Sequence, residues 1–263
     1  MSALVIERCA LALVVDLGRR GHMHEGIPWS GPMAPELFVR ANRAVGSSDG
    51  AAGIEVHGSL EIRALSSIVV ADEHAVGTEL SEGERLSLPS DPELRVRYLA
   101  IRGGIDAPLV LGSRTTLPQV IGTALSRGVE LGAGKLFGDA EIGPPMVDAP
   151  IALVLGPDMD CFPNGVSPLL EHAYEIAPAS NRTGTRLRGP SMVTRVGDAR
   201  PSMPMVLGAI QVPPNGMPIV LGPDHPTVGG YPVAAVIRHD HAGRFHSRPI
   251  GSRVRFVLQT KLR

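Results

Sequence analysis

The chain has 263 residues, a formal net charge of −1 at pH 7, 31 glycines and 24 prolines. This length can bury a substantial core as one large domain or two small ones, and the near-neutral charge excludes a global field that would attract nucleic acid or an anionic membrane. Gly and Pro are scattered among 43% hydrophobic residues, which favours short strands joined by turns over long helices.

Several ligand classes lack their sequence signatures. The only lysines are Lys135 and Lys261, and no G-x-x-x-x-G-K-[ST] segment occurs, which excludes a P-loop nucleotide site. Two cysteines, Cys9 and Cys161, form neither a metal cluster nor a disulfide framework, so we expect buried free thiols. The N-terminal segment does not have the pattern of a signal peptide, and no apolar run approaches the ~20 residues that span a bilayer. We therefore expect a soluble, cytoplasmic protein.

In the first half of the chain, the patterns predict one helix followed by three strands. A helix is predicted from Ala34 to Val45, because Pro35 can occupy its first turn and its apolar residues form one stripe. Apolar and polar residues alternate at 60–64 and 94–98, which predicts half-buried strands. The continuous apolar run at 67–71 predicts a strand buried on both faces.

The second half begins after residues 138–150, a Gly- and Pro-rich stretch that we interpret as a crossover between two halves. Continuous apolar runs predict strands buried on both faces at 151–155, 218–221 and 233–237, and alternation predicts a half-buried strand at 254–258. A second helix is predicted at 168–174. The chain should therefore be mainly β, with one or two short helices.

Turn-forming residues carry polar side chains in the last third of the chain. SNRTGTRL (180–187) and the stretch 208–232 place Gly, Pro, Asn, Gln, Arg and Asp between short apolar runs. A rigid scaffold often displays functional side chains at such turns. We expect the segments 180–187, 208–214 and 224–232 to converge on one concave small-molecule site.

A series of motifs resembles those of one known family. They occur in the family's order: D-x-G-R-x-G from Asp16, GIPWSGPM (26–33), RYLAIRGGI (97–105), LGSR (111–114), SNR-x-G-x-RL (180–187), GAIQVP-x-x-G-x-P (208–218) and D-x-x-T-x-G-G-Y-P (224–232). The chain thus resembles the KipA-like, or allophanate hydrolase subunit 2-like, carboxyltransferase family. That family includes the C subunit of bacterial ATP-dependent 5-oxoprolinase and half of the carboxyltransferase region of urea carboxylase.

The resemblance covers most of the chain and carries several expectations. It implies one carboxyltransferase domain over 1–263, with two cyclophilin-like β-barrel subdomains and an internal boundary near 138–150. It implies a KipI-like partner (the B subunit), a LamB/YcsF-like chain (the A subunit) as a further partner, and ATP-dependent opening of an amide or lactam such as 5-oxoproline. ATP and biotin would be presented by a partner, because no biotin-attachment motif or nucleotide signature is present and no covalently bound cofactor is expected.

Two polar segments are candidate substrate-binding sites. Ser113 and Arg114 follow an apolar strand-like run, and exposed backbone N–H groups beside an Arg fork suit a carboxylate or phosphate. Asn181 and Arg182 pair an amide with a second guanidinium, which suits a ureido ring or a carboxylate. We expect Arg182→Ala to weaken ligand binding without changing the melting temperature.

A third cluster comprises Asp224, Gln211 and Tyr231. Asp224 could orient a nitrogen or act as a base, with Gln211 as a donor to a developing oxyanion and Tyr231 in contact with substrate. Alternatively, Asp224 only accepts backbone N–H bonds within its own turn.

Two other features have a functional and a structural interpretation. Trp29 either stacks on a planar ligand or belongs to the core, and Asp16 with Arg19 either forms a local turn or contributes to a site. The pairs His22/His24 and His239/His241 would point the same way on a strand, but neither has the remaining ligands of a cupin-like metal site, so no metal is expected.

The chain departs from the family pattern at Ala34, Ala199, Pro226 and Val228, where the family has polar side chains. These departures leave a non-catalytic binding or regulatory partner of a KipI-like protein as an alternative function. Carboxyl transfer from carboxybiotin to a urea-like acceptor is another.

Overall fold

The structure is a computed structural model that describes residues 2–118, 120–146, 148–195 and 201–259. The described residues form eighteen strands and three α-helices, which confirms the prediction of a mainly β chain. The helices are α1 (Pro35–Ala44), α2 (Ser167–Glu171) and α3 (His239–His246). The strands are β1 (Ser2–Val15), β2 (Gly53–Ala64), β3 (Ile68–Asp72), β4 (Gly77–Leu80), β5 (Arg85–Leu88), β6 (Arg97–Ile101), β7 (Ile105–Asp106), β8 (Glu130–Ala133), β9 (Ile151–Leu155), β10 (Tyr174–Ile176), β11 (Gly184–Arg188), β12 (Met203–Pro204), β13 (Ala209–Gln211), β14 (Ile219–Leu221), β15 (Val228–Gly229), β16 (Val233–Ile237), β17 (Arg253–Val254) and β18 (Phe256–Leu258).

The chain divides into two compact units. The first takes Met1–Arg20 and Ser30–Met146, and the second takes Gly21–Trp29 and Val147–Arg263. A nine-residue segment from the N-terminal region is therefore part of the second unit. The chain passes between the two units three times, after Arg20, after Trp29 and after Met146.

An eight-stranded sheet forms the first unit. Its order is β4-β3-β6-β2-β1-β8-β7, with β5 also paired to β2. The two long strands, β1 and β2, run antiparallel from Val15 opposite Gly53 to Leu4 opposite Ala64. Helix α1 packs on this sheet through Leu37 and Phe38, which are buried. At the far end of the sheet order, the N–H of Ile105 in β7 donates to the carbonyl just before β2, so this edge is tied back toward the centre of the sheet.

The sheet of the second unit is closed by one chain segment. Its order is β17-β10-β11-β14-β13-β16-β9-β18. Strands β17 and β18 occupy opposite ends of this order, yet they are consecutive in the chain, separated by Arg255 alone. β17 pairs antiparallel with β10, while β18 pairs parallel with β9. The segment 253–258 therefore joins both edges into a barrel, whose interior holds large apolar side chains such as Tyr174, Phe245 and Phe256.

The helices differ from the prediction in one respect. α1 and α2 lie within or next to the predicted ranges, but α3 was not predicted. Because His239 and His241 lie on α3, their side chains diverge by roughly 200° instead of pointing the same way. The interpretation of this pair as strand residues is therefore wrong.

Strand β9 differs from its prediction of full burial, because Val154 and Leu155 are exposed.

Candidate functional site

In the first unit, Asp16 follows the end of β1 and holds the segment 113–115. One of its carboxylate oxygens accepts hydrogen bonds from the Ser113 hydroxyl (2.5 Å) and the Thr115 hydroxyl (2.8 Å). The other accepts the N–H of Arg114 at 2.6 Å. The groups proposed to bind a ligand carboxylate are thus already occupied by a carboxylate of the chain. The Arg114 guanidinium lies 3.4 Å from Asp106, and Ser113 is fully buried.

A second buried network in the first unit was missed by the sequence analysis. Glu55 on β2 is fully buried, and one of its carboxylate oxygens accepts the N–H of Met33 (2.8 Å) and the Tyr98 hydroxyl (2.9 Å). Its other oxygen lies 3.0 Å from Nε2 of His57. The Tyr98 oxygen in turn accepts the N–H of Ala34. A signal was present, since Glu55 interrupts an apolar strand where a charge is buried only when it is paired.

This network ties the entry of α1 to the sheet. Ala34 precedes α1 and has no side chain that could cap it. The Tyr98 and Glu55 bonds instead hold the backbone of residues 33 and 34. Burial lowers the pKa of the nearby Arg95 to about 10, against the opposing charge of Glu55. Glu55 and His57 together form a carboxylate–imidazole pair of the kind that can orient a proton-transfer group.

One group of potential metal ligands occurs among the described residues. Asp72, Glu73 and His74 lie close enough to share an ion. However, Arg97 binds both carboxylates, at 2.8 Å from Asp72 and 2.6 Å from Glu73. A buried arginine is therefore already paired with both acids, and the arrangement is an ion-pair cluster.

In the second unit, Arg182 and Asp224 bind each other. The guanidinium donates two parallel hydrogen bonds to the carboxylate, at 2.7 and 2.8 Å. Both side chains are buried, with relative exposures of 6% and 7%. The N–H of Asp224 also donates to the carbonyl of Arg182. The bidentate geometry expected between Arg182 and a ligand is thus formed with Asp224 instead.

Gln211, on β13, contacts the other end of the 224–232 segment. Its amide nitrogen is 3.4 Å from the carbonyl of Tyr231 and 3.2 Å from the sulfur of Met205. The Tyr231 side chain is half exposed. Asn181 uses its side-chain oxygen to accept the N–H groups of Thr183 and Gly184, which is a local turn. The three predicted segments therefore meet, because 224–232 contacts both of the others, but Asn181 has a structural role in its turn.

His225 adds a titratable group next to Asp224. It is almost fully buried, and its Nδ1 lies 2.8 Å from the carbonyl of Pro226. Burial lowers its pKa, with the Pro226 carbonyl and the Asp224 charge opposing the shift. The imidazole is therefore held neutral at neutral pH, where it can donate or accept a hydrogen bond without adding charge.

The loop 26–33 is shared between the two units. Trp29 belongs to the second unit, where its ring stacks on that of His239 with centroids 6.3 Å apart. Ser30, in the first unit, has a φ of 60°, a conformation that is costly for a residue other than Gly. The half-buried Trp29 thus has a partner within the chain, which favours the structural interpretation of its ring.

The other positions at which the sequence departs from the family pattern have different environments. Pro226 supplies the carbonyl near His225, whereas Val228 is an exposed residue of β15. Ala199 lies outside the described residues. No helix in the described part of the chain is long and apolar enough to cross a membrane.

Comparison with known proteins matches these features to one family. Residues 25–258 match the model of the carboxyltransferase domain, subdomain A and B. The chain is 28% identical to the C subunit of 5-oxoprolinase from Escherichia coli, over 93% of this chain and 87% of that protein. It is 26% identical to urea amidolyase of Lachancea kluyveri, but spans only 16% of that protein's length.

A solved structure shows the same fold. The crystal structure of Kluyveromyces lactis urea carboxylase aligns with 98% of this chain at a TM-score of 0.89 and 24% identity, and the aligned region is 27% of that chain. The match between the family model and nearly the whole described chain, together with this fold, establishes the conclusion: the chain belongs to the family of carboxyltransferase domains with subdomains A and B.

Proposed function

We propose that the chain is the C subunit of an ATP-dependent 5-oxoprolinase, or of a related amide or lactam hydrolase complex. The observation that carries this proposal is the extent of the similarity. The alignment with the C subunit of 5-oxoprolinase takes in 87% of that protein, whereas the alignment with urea amidolyase takes in 16%. The similarity thus takes in nearly the whole of a C subunit of 5-oxoprolinase and only a small part of urea amidolyase.

In this proposal the reaction requires partner chains. A KipI-like chain and a LamB/YcsF-like chain would complete the complex, and ATP or carboxybiotin would be presented by a partner. The second unit of this chain would contribute Gln211 and Tyr231 to the substrate, since an amide and a half-exposed phenol can both donate to a developing oxyanion. Arg182 would hold Asp224 in a fixed orientation.

The test is to express the chain with and without its two partner chains and to measure ATP-dependent conversion of 5-oxoproline to glutamate. We expect turnover only with the partners. In the complex, Tyr231→Phe should lower kcat with little change in the melting temperature, because it removes one half-exposed hydroxyl. Tyr174→Phe is not a suitable control, because the Tyr174 hydroxyl donates a hydrogen bond to the carbonyl of Pro190. The control is Ser90→Ala, which removes an exposed hydroxyl of the first unit and should leave kcat unchanged.

A non-catalytic binding or regulatory role is the second candidate. One observation favours it: Arg182 and Asp224 neutralise each other, and Asp16 occupies the groups at Ser113 and Arg114. A stable complex with a KipI-like chain and no turnover of 5-oxoproline, in the presence of ATP and the LamB/YcsF-like chain, would support this role. Turnover of urea with carboxybiotin, but not of 5-oxoproline, would instead support carboxyl transfer to a urea-like acceptor.

A further inference from the structure

A cavity of about 730 Å³ lies beside β1 in the first unit. It is bordered by residues of β1, β2 and β5 and by the segment 125–128. Its volume lies in the range of small-molecule sites, roughly 300–1,000 Å³. Its charged lining is unusual in composition: it includes four arginines and two glutamates, namely Arg8, Arg63, Arg85, Arg127, Glu7 and Glu61.

The cavity lies where β1 is bulged. The register of β1 against β2 shifts between Ile6 and Arg8 and again between Cys9 and Leu11. The first shift leaves Glu7 of β1 without an opposite partner in β2, and the second sets Ala10 of β1 against two residues of β2, Gly58 and Ser59. A bulge interrupts the ladder, bends the strand and redirects side chains, and bulges are common beside functional sites. Glu7, which the first shift leaves unpaired, lines the cavity together with its neighbours in β1.

Glu7 fixes two of the arginines. Its carboxylate oxygens lie 2.8 Å from Nε of Arg63 and 2.6 Å from Nε of Arg85. The hydrogen bonds from Arg85 and Arg63 lower the pKa of Glu7, so it stays ionised and keeps both guanidinium groups beside it. One negative charge is thus shared by two positive charges, which leaves an excess of positive charge at this wall.

The other two arginines are not neutralised. Arg8 and Arg127 are exposed, and neither has an ion pair with any residue that the structure describes. Glu61 is the cross-strand neighbour of Arg8, yet the two side chains are not within ion-pair distance. With four guanidinium groups against two carboxylates, the lining carries a net charge of about +2.

We propose that this cavity binds a small polyanion, a molecule with two or more phosphate or carboxylate groups. Arg8 and Arg127 would each hold an anionic group through the planar fork that matches both chemistries. Arg63 and Arg85, held in place by Glu7, would supply positive charge without having to be ordered on binding. The site lies within the first unit and uses none of the residues assigned to the proposed reaction, so it does not depend on that proposal.

Isothermal titration of the full chain with pyrophosphate tests this inference, and titration with citrate separates phosphate from carboxylate recognition. We expect saturable binding of at least one of these ions, weakened tenfold or more by Arg8→Gln with Arg127→Gln. The matched control is Arg102→Gln, which changes an exposed arginine of the same unit outside this cavity and should leave the dissociation constant within twofold.

Three results would overturn the inference. The first is no binding of either ion by the unmodified chain at millimolar concentration. The second is an unchanged dissociation constant in the Arg8/Arg127 variant. The third is equal weakening by Arg102→Gln, which would show that only the general surface charge is involved. Because Arg8 and Arg127 are exposed, circular dichroism should show that the variant remains folded.

Discussion

At the scale of single residues, two Arg–Asp pairs of the second unit have the same geometry in different surroundings. Arg182 and Asp224 are buried, whereas Arg238 and Asp240 are 38% and 62% exposed. Removing one partner of a buried pair leaves an uncompensated charge and costs about 3–5 kcal/mol, while an exposed pair contributes about 0–1 kcal/mol. Arg182→Ala should therefore lower the free energy of unfolding by several kcal/mol in urea denaturation, and Arg238→Ala should lower it far less.

This prediction is the opposite of the one made from the sequence, in which Arg182→Ala leaves the melting temperature unchanged. A double substitution refines the test: Arg182→Met with Asp224→Leu removes both charges and should recover much of the loss. If Arg182→Ala instead unfolds at the same urea concentration as the unmodified chain and weakens ligand binding, the ligand-binding interpretation of Arg182 is correct.

His225 should make the stability of the second unit depend on pH, and the direction of this dependence follows from the burial of its imidazole. Burial lowers its pKa below the ordinary value of 6.5, so at mildly acidic pH the unfolded chain binds a proton that the folded chain does not. Stability should therefore fall as the pH drops below 6.5, with a slope of at most about 1.4 kcal/mol per pH unit from this group.

Urea denaturation between pH 7 and 5 measures that slope. His225→Gln should reduce it. Part of the slope should remain, because burial and the charges of Arg244 and Arg238 also lower the pKa of His241. An unchanged slope in His225→Gln would contradict the assignment.

At the scale of elements, regular patterns were predictable from the sequence and special local geometry was not. The apolar stripe and Pro35 located α1, and uninterrupted apolar runs located β9 and β16. α3 was missed because HDHAGRFH has four charged or imidazole side chains in its first six residues and a Gly in its middle, which obscure an apolar face. Asp16, Glu55 and Arg182 also bind residues of other segments, and these contacts were not predictable because the partners lie more than 20 residues away in the sequence.

The turn between β6 and β7 permits a prediction about one glycine. Gly103 has a φ of 84°, and a Cβ there would clash with the carbonyl oxygen of Gly134. Gly83 has a similar φ of 87°, but a Cβ there would meet open space. Both Gly→Ala changes carry the left-handed penalty of about 1–2 kcal/mol, and Gly103→Ala adds steric strain, so it should destabilise by at least about 1 kcal/mol more. Equal melting temperatures for the two variants would show that the Gly103 turn shifts freely.

At the scale of the whole molecule, the chain crosses between the two units three times, because the segment Gly21–Trp29 belongs to the second unit while the residues on either side of it belong to the first. The chain contains a single tryptophan, Trp29, which is surrounded in sequence by the first unit but belongs to the second, where it stacks on His239. Its fluorescence should therefore report the unfolding of the second unit, whereas far-UV circular dichroism reports both sheets.

Arg182→Ala and Gly103→Ala should affect the fluorescence and circular dichroism transitions differently. Arg182→Ala, in the second unit, should move the Trp29 fluorescence transition to lower urea by at least as much as it moves the circular dichroism transition. Gly103→Ala, in the first unit, should move the circular dichroism transition and should move the fluorescence transition only as far as the two units unfold together. If Trp29 responds to Gly103→Ala and not to Arg182→Ala, the segment 21–29 unfolds with the first unit. Such a result would mean that the stacking on His239 contributes little to holding this segment in the second unit.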